Sequence, residues 1–286
     1  MSRVAYVNGL YVPHADAAVH VEDRGYQFAD GVYEVCEVRG GRMVDERRHM
    51  ERLQRSLREL RIAMPMPPAA LGVVLRETIR RNRVREGIVY LQVTRGVARR
   101  DHYFPSPDTL PSIVVTARAT DQAKAAASVA SGAAIITVPD NRWDRVDIKT
   151  VGLLPNVLAK QAAKEAGARE AWFVRDGVVT EGGSTNAWIV TQAGAIVTRP
   201  AESGILRGIT RTVLFEVANR LGLTVEERGF TLDEALAARE AFISSASNVV
   251  VPIVSIDGKT IGDGKPGPVA RSLRDSFYDV AEFARK

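Results

Sequence analysis

Lys149 is the residue of this sequence that is hardest to explain as an ordinary solvated side chain. It lies in residues 145–151, Arg-Val-Asp-Ile-Lys-Thr-Val, whose apolar/polar alternation predicts a strand or a strand end. The chain has only seven lysines, and the other six lie on predicted helices, in a turn or at the C-terminus. A partly desolvated lysine amine can form a Schiff base with an aldehyde. Taken alone, the position also fits a strand lysine that reaches solvent.

An acidic, hydroxyl-rich turn follows further along the chain. Residues 181–186 read Glu-Gly-Gly-Ser-Thr-Asn, so the carboxylate of Glu181 precedes a flexible turn with two hydroxyl groups. An amine that holds an aldehyde and a carboxylate that pairs with a ring nitrogen are what pyridoxal 5′-phosphate (PLP) requires of a protein. Lys149 and Glu181 together therefore predict a PLP site.

Three features could bind the phosphate of such a cofactor. Residues 204–210, Gly-Ile-Leu-Arg-Gly-Ile-Thr, predict a turn that opens a helix, where free N–H groups attract anions. Thr210 fits an ordinary N-cap equally well, and the two roles are compatible. Residues 243–248, Ile-Ser-Ser-Ala-Ser-Asn, form a hydroxyl-rich turn that a plain loop also explains. Arg52 begins a predicted helix and could bind phosphate, although most arginines in such places lie at the surface.

A basic loop is the candidate for binding a carboxylate. Residues 94–102, Thr-Arg-Gly-Val-Ala-Arg-Arg-Asp-His, bring three arginines and a histidine close together. Arginine forks and a histidine can hold a carboxylate by bidentate and single contacts. A solvated basic loop is the alternative explanation.

Several other functions are disfavoured. The composition, 45% hydrophobic and 26% charged, is that of a soluble globular protein, and no stretch is long and apolar enough for a bilayer. The net charge is +5, but the densest arginine cluster, residues 80–85, lacks interleaved aromatic residues, so a helix end is favoured over a nucleic-acid surface. No cysteine and histidine spacing predicts a metal site. His49 lacks a partner at metal or triad spacing and is interpreted as structural. The single cysteine, Cys36, fits the reducing cytoplasm.

The order of predicted elements gives the fold class. Strands, helices and strands alternate, which predicts an α/β (α+β) protein with two domains. The small N-terminal α/β domain spans residues 1–119, a linker spans 120–127, and the larger domain spans 128–286. The glycine pattern G-x-G-x-x-G at residues 262–267 contains a proline and precedes a final helix, so it is rejected as a dinucleotide fingerprint.

The chain resembles the fold-type IV PLP enzymes, and most closely the D-amino-acid transaminases, nearly from end to end. The resemblance rests on six segments in family order: residues 30–34 (DGVYE), 49–53 (HMERL), 147–150 (DIKT), 153–156 (LLPN), 180–186 (TEGGSTN) and 204–210 (GILRGIT). It implies a larger domain with a β-barrel-like sheet and flanking helices. It also implies that Lys149 carries PLP as a Schiff base and that Glu181 pairs with the pyridine nitrogen.

The resemblance extends to the remaining cofactor contacts. It implies that the phosphate is held by Arg52, Ile209, Thr210 and the turn at Ser245 and Ala246, with Leu206 under the ring and Ser184 close by. The family often has threonine where this chain has Ala246. The loss of that hydroxyl predicts weaker cofactor retention, because one neutral hydrogen bond contributes about 0.5–1.5 kcal/mol.

The substrate class follows from the basic loop. Arg100 and His102 resemble the Arg-x-His carboxylate trap of D-amino-acid transaminases, which Tyr33 completes and which the neighbouring subunit supplies in a homodimer. The implied reaction is ping-pong transfer of an amino group from a D-amino acid such as D-alanine to a 2-oxo acid such as 2-oxoglutarate. Alternatives are a branched-chain or (R)-amine transaminase, an aminodeoxychorismate lyase, a catalytically inactive PLP-binding protein and, remotely, a nucleic-acid-binding protein.

Overall fold

A computed structural model describes residues 3–202 and 204–284 of the chain. These residues form two compact units. Unit 1 comprises residues up to 121, the short segment Ile148–Gly152 and the C-terminal residues from Glu282. Unit 2 comprises Gln122–Asp147 and Leu153–Ala281. The division differs from the predicted domains, because the segment with Lys149 belongs to unit 1 and the predicted linker 120–127 runs into a helix.

Unit 1 is built on an antiparallel sheet with the strand order β2-β1-β6-β5-β3-β4. Its strands in the described residues are β1 (Val4–Val7), β2 (Leu10–Pro13), β3 (Gly31–Arg39), β4 (Arg42–Met43), β5 (Gly87–Thr94) and β6 (Ser112–Ala119). Its helices are α1 (Arg24–Phe28), α2 (Glu46–Glu59) and α3 (Pro68–Arg81). The β1–β2 turn at Asn8 and Gly9 has positive φ at both residues, as tight hairpins require.

The core of unit 1 lies on one face of this sheet. In β3, Val32, Cys36 and Val38 are buried, while the alternate side chains are only half-buried. The buried side chains pack with the apolar stripes of α2 and α3, which recur every three or four residues. The opposite, half-buried face of the sheet is therefore free for other contacts.

Two segments from later in the chain complete unit 1. Ile148 is buried in the core of unit 1, and the neighbouring Thr150 forms a β-bridge with Val32. At the C-terminus, the N–H of Ala284 donates to the carbonyl of Met43 at 2.9 Å. The buried Ile148 and the β-bridge explain why residues 148–152 belong to unit 1, although the residues on either side of them in sequence belong to unit 2.

Unit 2 contains a larger mixed sheet with the strand order β12-β11-β10-β13-β14-β7-β8-β9, with β15 paired to β14. Its described strands are β7 (Ala133–Pro139), β8 (Glu170–Arg175), β9 (Val178–Gly182), β10 (Asn186–Val190), β11 (Ile196–Thr198), β12 (Val225–Glu227), β13 (Glu240–Ser245), β14 (Val249–Ile256) and β15 (Lys259–Thr260). Its helices are α4 (Gln122–Ser131), α5 (Leu154–Glu165), α6 (Ile209–Arg220), α7 (Leu232–Leu236) and α8 (Pro268–Asp275).

The large sheet curls on itself. A turn of only three residues, 183–185, joins β9 to β10, although β9 is the edge strand and β10 stands third from the other edge. Strands so distant in the sheet can be joined by so short a turn only if the sheet bends round. The predicted barrel-like sheet with flanking helices is thus confirmed. No helix among residues 3–202 and 204–284 is long and apolar enough to cross a membrane.

Candidate active site

The amine of Lys149 lies against the ring of Tyr33 in unit 1. The backbone carbonyl of Lys149 accepts from the Tyr33 N–H at 3.0 Å, and the backbone N–H of Lys149 donates to Ser56 Oγ at 3.4 Å. The Nζ atom of Lys149 is 4.2 Å from the centre of the Tyr33 ring. The segment is not the predicted strand, because it pairs with β3 through a single bridge. Buried Ile148 and these two backbone bonds fix the main chain from which the Lys149 side chain extends toward Tyr33.

Tyr33 shares the half-buried face of the sheet with Tyr90 and Gln92 of β5. We call these three residues, with Lys149, the lysine face. The rings of Tyr33 and Tyr90 are 5.7 Å apart, and the Tyr90 hydroxyl donates to Gln92 Oε1 at 2.7 Å. Burial, with a smaller contribution from Tyr33, raises the pKa of Tyr90 to about 12. Tyr90 therefore keeps its proton at every physiological pH.

Arg52 is paired with a buried carboxylate that the sequence analysis did not single out. Arg52 donates to both oxygens of Glu34, from Nε at 2.8 Å and from Nη2 at 2.7 Å, and His49 Nδ1 lies 2.7 Å from Glu34 Oε2. Burial alone would raise the pKa of Glu34, but the charge and hydrogen bonds of Arg52, aided by His49, lower it to about 2. The guanidinium is thus held in one orientation.

A signal for Glu34 was present in the sequence. Glu34 occupies an inward-facing position of β3, between buried Val32 and Cys36. A carboxylate on the apolar face of an amphipathic strand requires a cation nearby. Arg52 and His49 lie three residues apart on α2, where residues share one face of the helix. The structural interpretation of His49 therefore holds, and the histidine belongs to the support of Arg52.

Arg100 and His102 both lie beside the ring of Phe28. The Arg100 guanidinium carbon is 4.7 Å from the centre of that ring, and the His102 ring centre is 5.6 Å away. Both side chains are exposed in the single chain. Arg24 donates to the Asp101 carbonyl at 2.7 Å and so holds the loop between them. The structure thus brings the two predicted carboxylate-binding residues together.

Arg95, from the same basic loop, has a different role. It donates to both carboxylate oxygens of Asp30, at 2.7 and 2.9 Å, and to the carbonyls of Leu60 and Arg61. The side chain is almost fully buried. Its donors tie the end of β5 to the end of α2, so Arg95 is a structural residue.

Glu181 in unit 2 is buried and receives donors from several directions. Both of its oxygens accept from the Leu206 N–H at 3.2 Å, one accepts from the Asn186 amide at 3.2 Å, and one from Arg142. Arg142 also donates to Asp140 at 2.8 and 2.9 Å. Arg175 lies 3.8 Å from Asp140 as well, so Asp140 is flanked by two guanidinium groups and Arg142 bridges Asp140 and Glu181.

The start of α6 lies beside this cluster. The Leu206 carbonyl accepts from the Asn186 amide at 2.9 Å. A Cβ on Gly208 would lie 2.1 Å from Asn186 Oδ1, so only glycine allows the close approach. Gly208 is the N-cap and supplies no side-chain bond, and Thr210 is the second helical residue rather than the cap. The first N–H groups of such a helix have no partner within the helix and can bind an anion.

The predicted hydroxyl-rich turn borders the same residue. Strand β13 ends at Ser245, and the preceding Ser244 stands opposite Asn186 in the sheet. The Trp188 indole donates to Ser244 Oγ at 2.8 Å, and the turn itself begins at Ala246, directly after Ser245. Both predicted anion-binding segments of unit 2 therefore meet at Asn186.

Ser184 makes a different contact. Its hydroxyl donates to Glu170 Oε2 at 3.0 Å, and Glu170 is buried and also pairs with Lys160 at 3.1 Å. This bond fixes the conformation of the turn between β9 and β10.

A sequence model described as "Amino-transferase class IV" matches residues 31–256 of the chain. The chain belongs to the class IV aminotransferases. The match spans the half-buried sheet face of unit 1 and nearly all of the large sheet of unit 2. The predictions of family membership and of an aminotransferase enzyme are thereby confirmed.

Curated relatives and solved structures agree with this assignment. The chain is 43% identical over 272 residues to a D-alanine aminotransferase of Bacillus licheniformis, covering 95% of each chain. It is 39% identical to a D-alanine aminotransferase of Staphylococcus haemolyticus, covering 99% of each. Among solved structures, a T.th. branched-chain amino acid aminotransferase with pyridoxamine 5′-phosphate superposes with a TM-score of 0.88 at 28% identity, covering 98% of this chain and 94% of that one.

Proposed function

We propose that this protein is a PLP-dependent transaminase that moves the amino group of a D-amino acid, such as D-alanine, to a 2-oxo acid such as 2-oxoglutarate. The observation that carries the proposal is the position of the Lys149 amine, 4.2 Å from the centre of the Tyr33 ring on the half-buried face. The relatives that cover nearly the whole chain at 39–43% identity are D-alanine aminotransferases by name.

The residues present fit PLP, and the family confirms this cofactor. The buried carboxylate of Glu181 suits a protonated ring nitrogen, and the first N–H groups of α6, which lack a side-chain cap, suit a phosphate. A fixed lysine amine suits an aldehyde. When bound, PLP supplies an electron sink that stabilises the charge left on the substrate Cα when its proton is removed.

Lys149 has two roles in the proposed reaction. Its Nζ would hold the aldehyde group of the cofactor. The same Nζ would also act as the base that takes the proton from the substrate Cα. The Tyr33 ring, 4.2 Å away, stabilises the resulting ammonium group by a cation–π contact.

Glu181 holds a proton at the ring nitrogen of the cofactor. Its carboxylate is fixed by the donors that surround it, so it need not reorient during the reaction. The first N–H groups of α6 at Ile209 and Thr210, with Ser245 and Ala246, bind the phosphate. Arg52 would hold the same phosphate, and Leu206 and Ser184 would contact the rest of the cofactor.

The substrate carboxylate is bound by Tyr33, Arg100 and His102. The resemblance assigns the Arg-x-His loop to the neighbouring subunit, so the functional unit is a homodimer and each site is shared. Amino acids and 2-oxo acids bind in turn, in a ping-pong cycle. We place the enzyme in the cytoplasm, which the single, buried cysteine supports.

The visible absorbance of the purified protein tests the proposal. D-Alanine should bleach the PLP band, and 2-oxoglutarate should restore it. Bleaching by L-leucine but not by D-alanine would favour a branched-chain transaminase, and bleaching by (R)-1-phenylethylamine alone would favour an amine transaminase. A colourless protein that takes up no PLP would refute the assignment altogether.

A further inference from the structure

The lysine face contains a polar side chain that the proposed reaction has not used. Gln92 of β5 stands directly opposite Tyr33 of β3 in the antiparallel pairing. Directly opposite residues project to the same face with Cβ atoms about 4.5–5.5 Å apart. The Gln92 amide is therefore a close neighbour of Tyr33, whose ring contacts the amine of Lys149.

Tyr90 engages one end of the amide. Its hydroxyl donates to the amide oxygen, Gln92 Oε1, at 2.7 Å, which leaves the amide nitrogen available for another partner. The amide nitrogen of Gln92 makes no protein hydrogen bond within residues 3–202 and 204–284. Its cross-strand neighbour on β6, Val114, has no side-chain acceptor to offer. Gln92 thus presents two N–H donors, while Tyr90 already occupies one acceptor position of its oxygen.

Amide N–H donors without a protein partner suit a ligand group that is rich in oxygen acceptors. A carboxylate fits, because its two oxygens can accept from two neighbouring donors at once. Tyr33 is the proposed carboxylate partner in the reaction described above, and Gln92 is its direct neighbour. We propose that Gln92 is a further substrate-binding residue, whose amide N–H donates to the α-carboxylate of the amino substrate alongside Tyr33.

The inference deepens the proposed function and rests on it for the identity of the ligand. It also has a consequence for specificity. A hydrogen bond to a charged acceptor is strong, and the Tyr90–Gln92 pair orients the donor before the substrate arrives. Loss of the donor should thus weaken binding of acids more than it slows the chemical step.

The test compares Gln92→Leu, Tyr90→Phe and the wild-type holoenzyme. The control is Gln161→Leu, which removes an exposed amide on α5 that donates to Glu165 at 2.6 Å. Two quantities are measured: the dissociation constant of propionate by calorimetry, and the D-alanine dependence of the absorbance change in single turnovers.

Gln92→Leu should raise both the propionate dissociation constant and the half-saturating D-alanine concentration about ten-fold or more. The limiting rate at saturating D-alanine should change by less than about three-fold. Tyr90→Phe frees the amide to rotate and should raise both constants by a smaller factor, and Gln161→Leu should match the wild type. A merely structural role would not separate binding from rate in this way.

Unchanged constants in Gln92→Leu, in a protein with a native circular dichroism spectrum, would overturn the inference while leaving the transaminase assignment intact. If Gln92→Leu fails to fold, the test rests on Tyr90→Phe. Dissociation and half-saturation constants equal to those of the wild type in Tyr90→Phe would then overturn the inference. A third outcome separates the two proposals. If D-alanine causes no absorbance change in the wild type, but propionate binds and Gln92→Leu weakens that binding, the proposed function is wrong and the carboxylate contact of Gln92 is supported.

Discussion

The buried Glu34 makes a large and testable contribution to stability. Its pKa lies near 2 instead of the ordinary 4.5. Each pKa unit corresponds to about 1.4 kcal/mol, so folding stabilises the ionised form by about 3 kcal/mol. Removal of the charge by Glu34→Gln also leaves Arg52 buried without its carboxylate, and the break-up of buried pairs costs about 3–5 kcal/mol. We expect the free energy of unfolding at pH 7 to fall by about 3–5 kcal/mol.

The pH dependence has a definite sign. The folded-state pKa of Glu34 is lowered, so its stabilisation is complete above pH 4.5 and is lost as the pH falls toward 2. Glu34→Gln should therefore show a flatter decline of stability over that window than the wild type. Urea denaturation of the PLP-loaded enzyme at pH 7, 5 and 3 measures both effects.

Glu77 provides a matched control. The side chains of Arg80 and Arg81, by hydrogen bonds first and charge second, also lower its pKa to about 2. These pairs lie on the exposed surface of α3, where solvent screens them. Glu77→Gln should thus leave the denaturation midpoint nearly unchanged at pH 7. Equal losses in the two variants would refute the argument that burial of Glu34 makes the difference.

Three other predictions concern the cofactor site. Lys149→Ala should yield no pyridoxyl adduct at position 149 after borohydride reduction and peptide mass mapping, whereas the wild type should carry one. Ala246→Thr should lower the PLP dissociation constant by about 2- to 10-fold, measured by fluorescence titration, because it adds one hydrogen bond. Gly208→Ala should lower the thermal midpoint by forcing a methyl against Asn186, while Gly152→Ala, whose Cβ meets nothing within 3.4 Å, should not.

Periodicity and motif order predicted most of this protein, and the failures have physical causes. In β3 the side chains alternate between buried and half-buried, because a strand has only two faces. The same alternation around Lys149 predicted a strand where the structure has one bridge, because so short a segment cannot reveal whether a partner strand runs alongside. Glu34 was missed because its partner Arg52 lies on a helix, and the spacing between them has no sequence signature.

Other details depended on contacts distant in sequence. Thr210 fits an N-cap by residue type, but the close approach of Gly208 to Asn186 moves the helix start two residues earlier. The role of Gln92 depends on its register against Tyr33, which no local pattern determines. The return of residues 148–152 to unit 1 is likewise set by tertiary packing.

The interrupted path of the chain through unit 1 has a consequence for its biogenesis. During translation, domains usually form from the N-terminal end as residues emerge. A nascent chain that ends at residue 121 lacks Ile148, which packs into the core of unit 1, and lacks Glu282, whose carbonyl accepts from the Asp45 N–H at 2.7 Å. Unit 1 can thus reach its full set of contacts only after residues up to Glu282 have been synthesised. Lys149 directly follows Ile148, the residue that the later segment adds to the core.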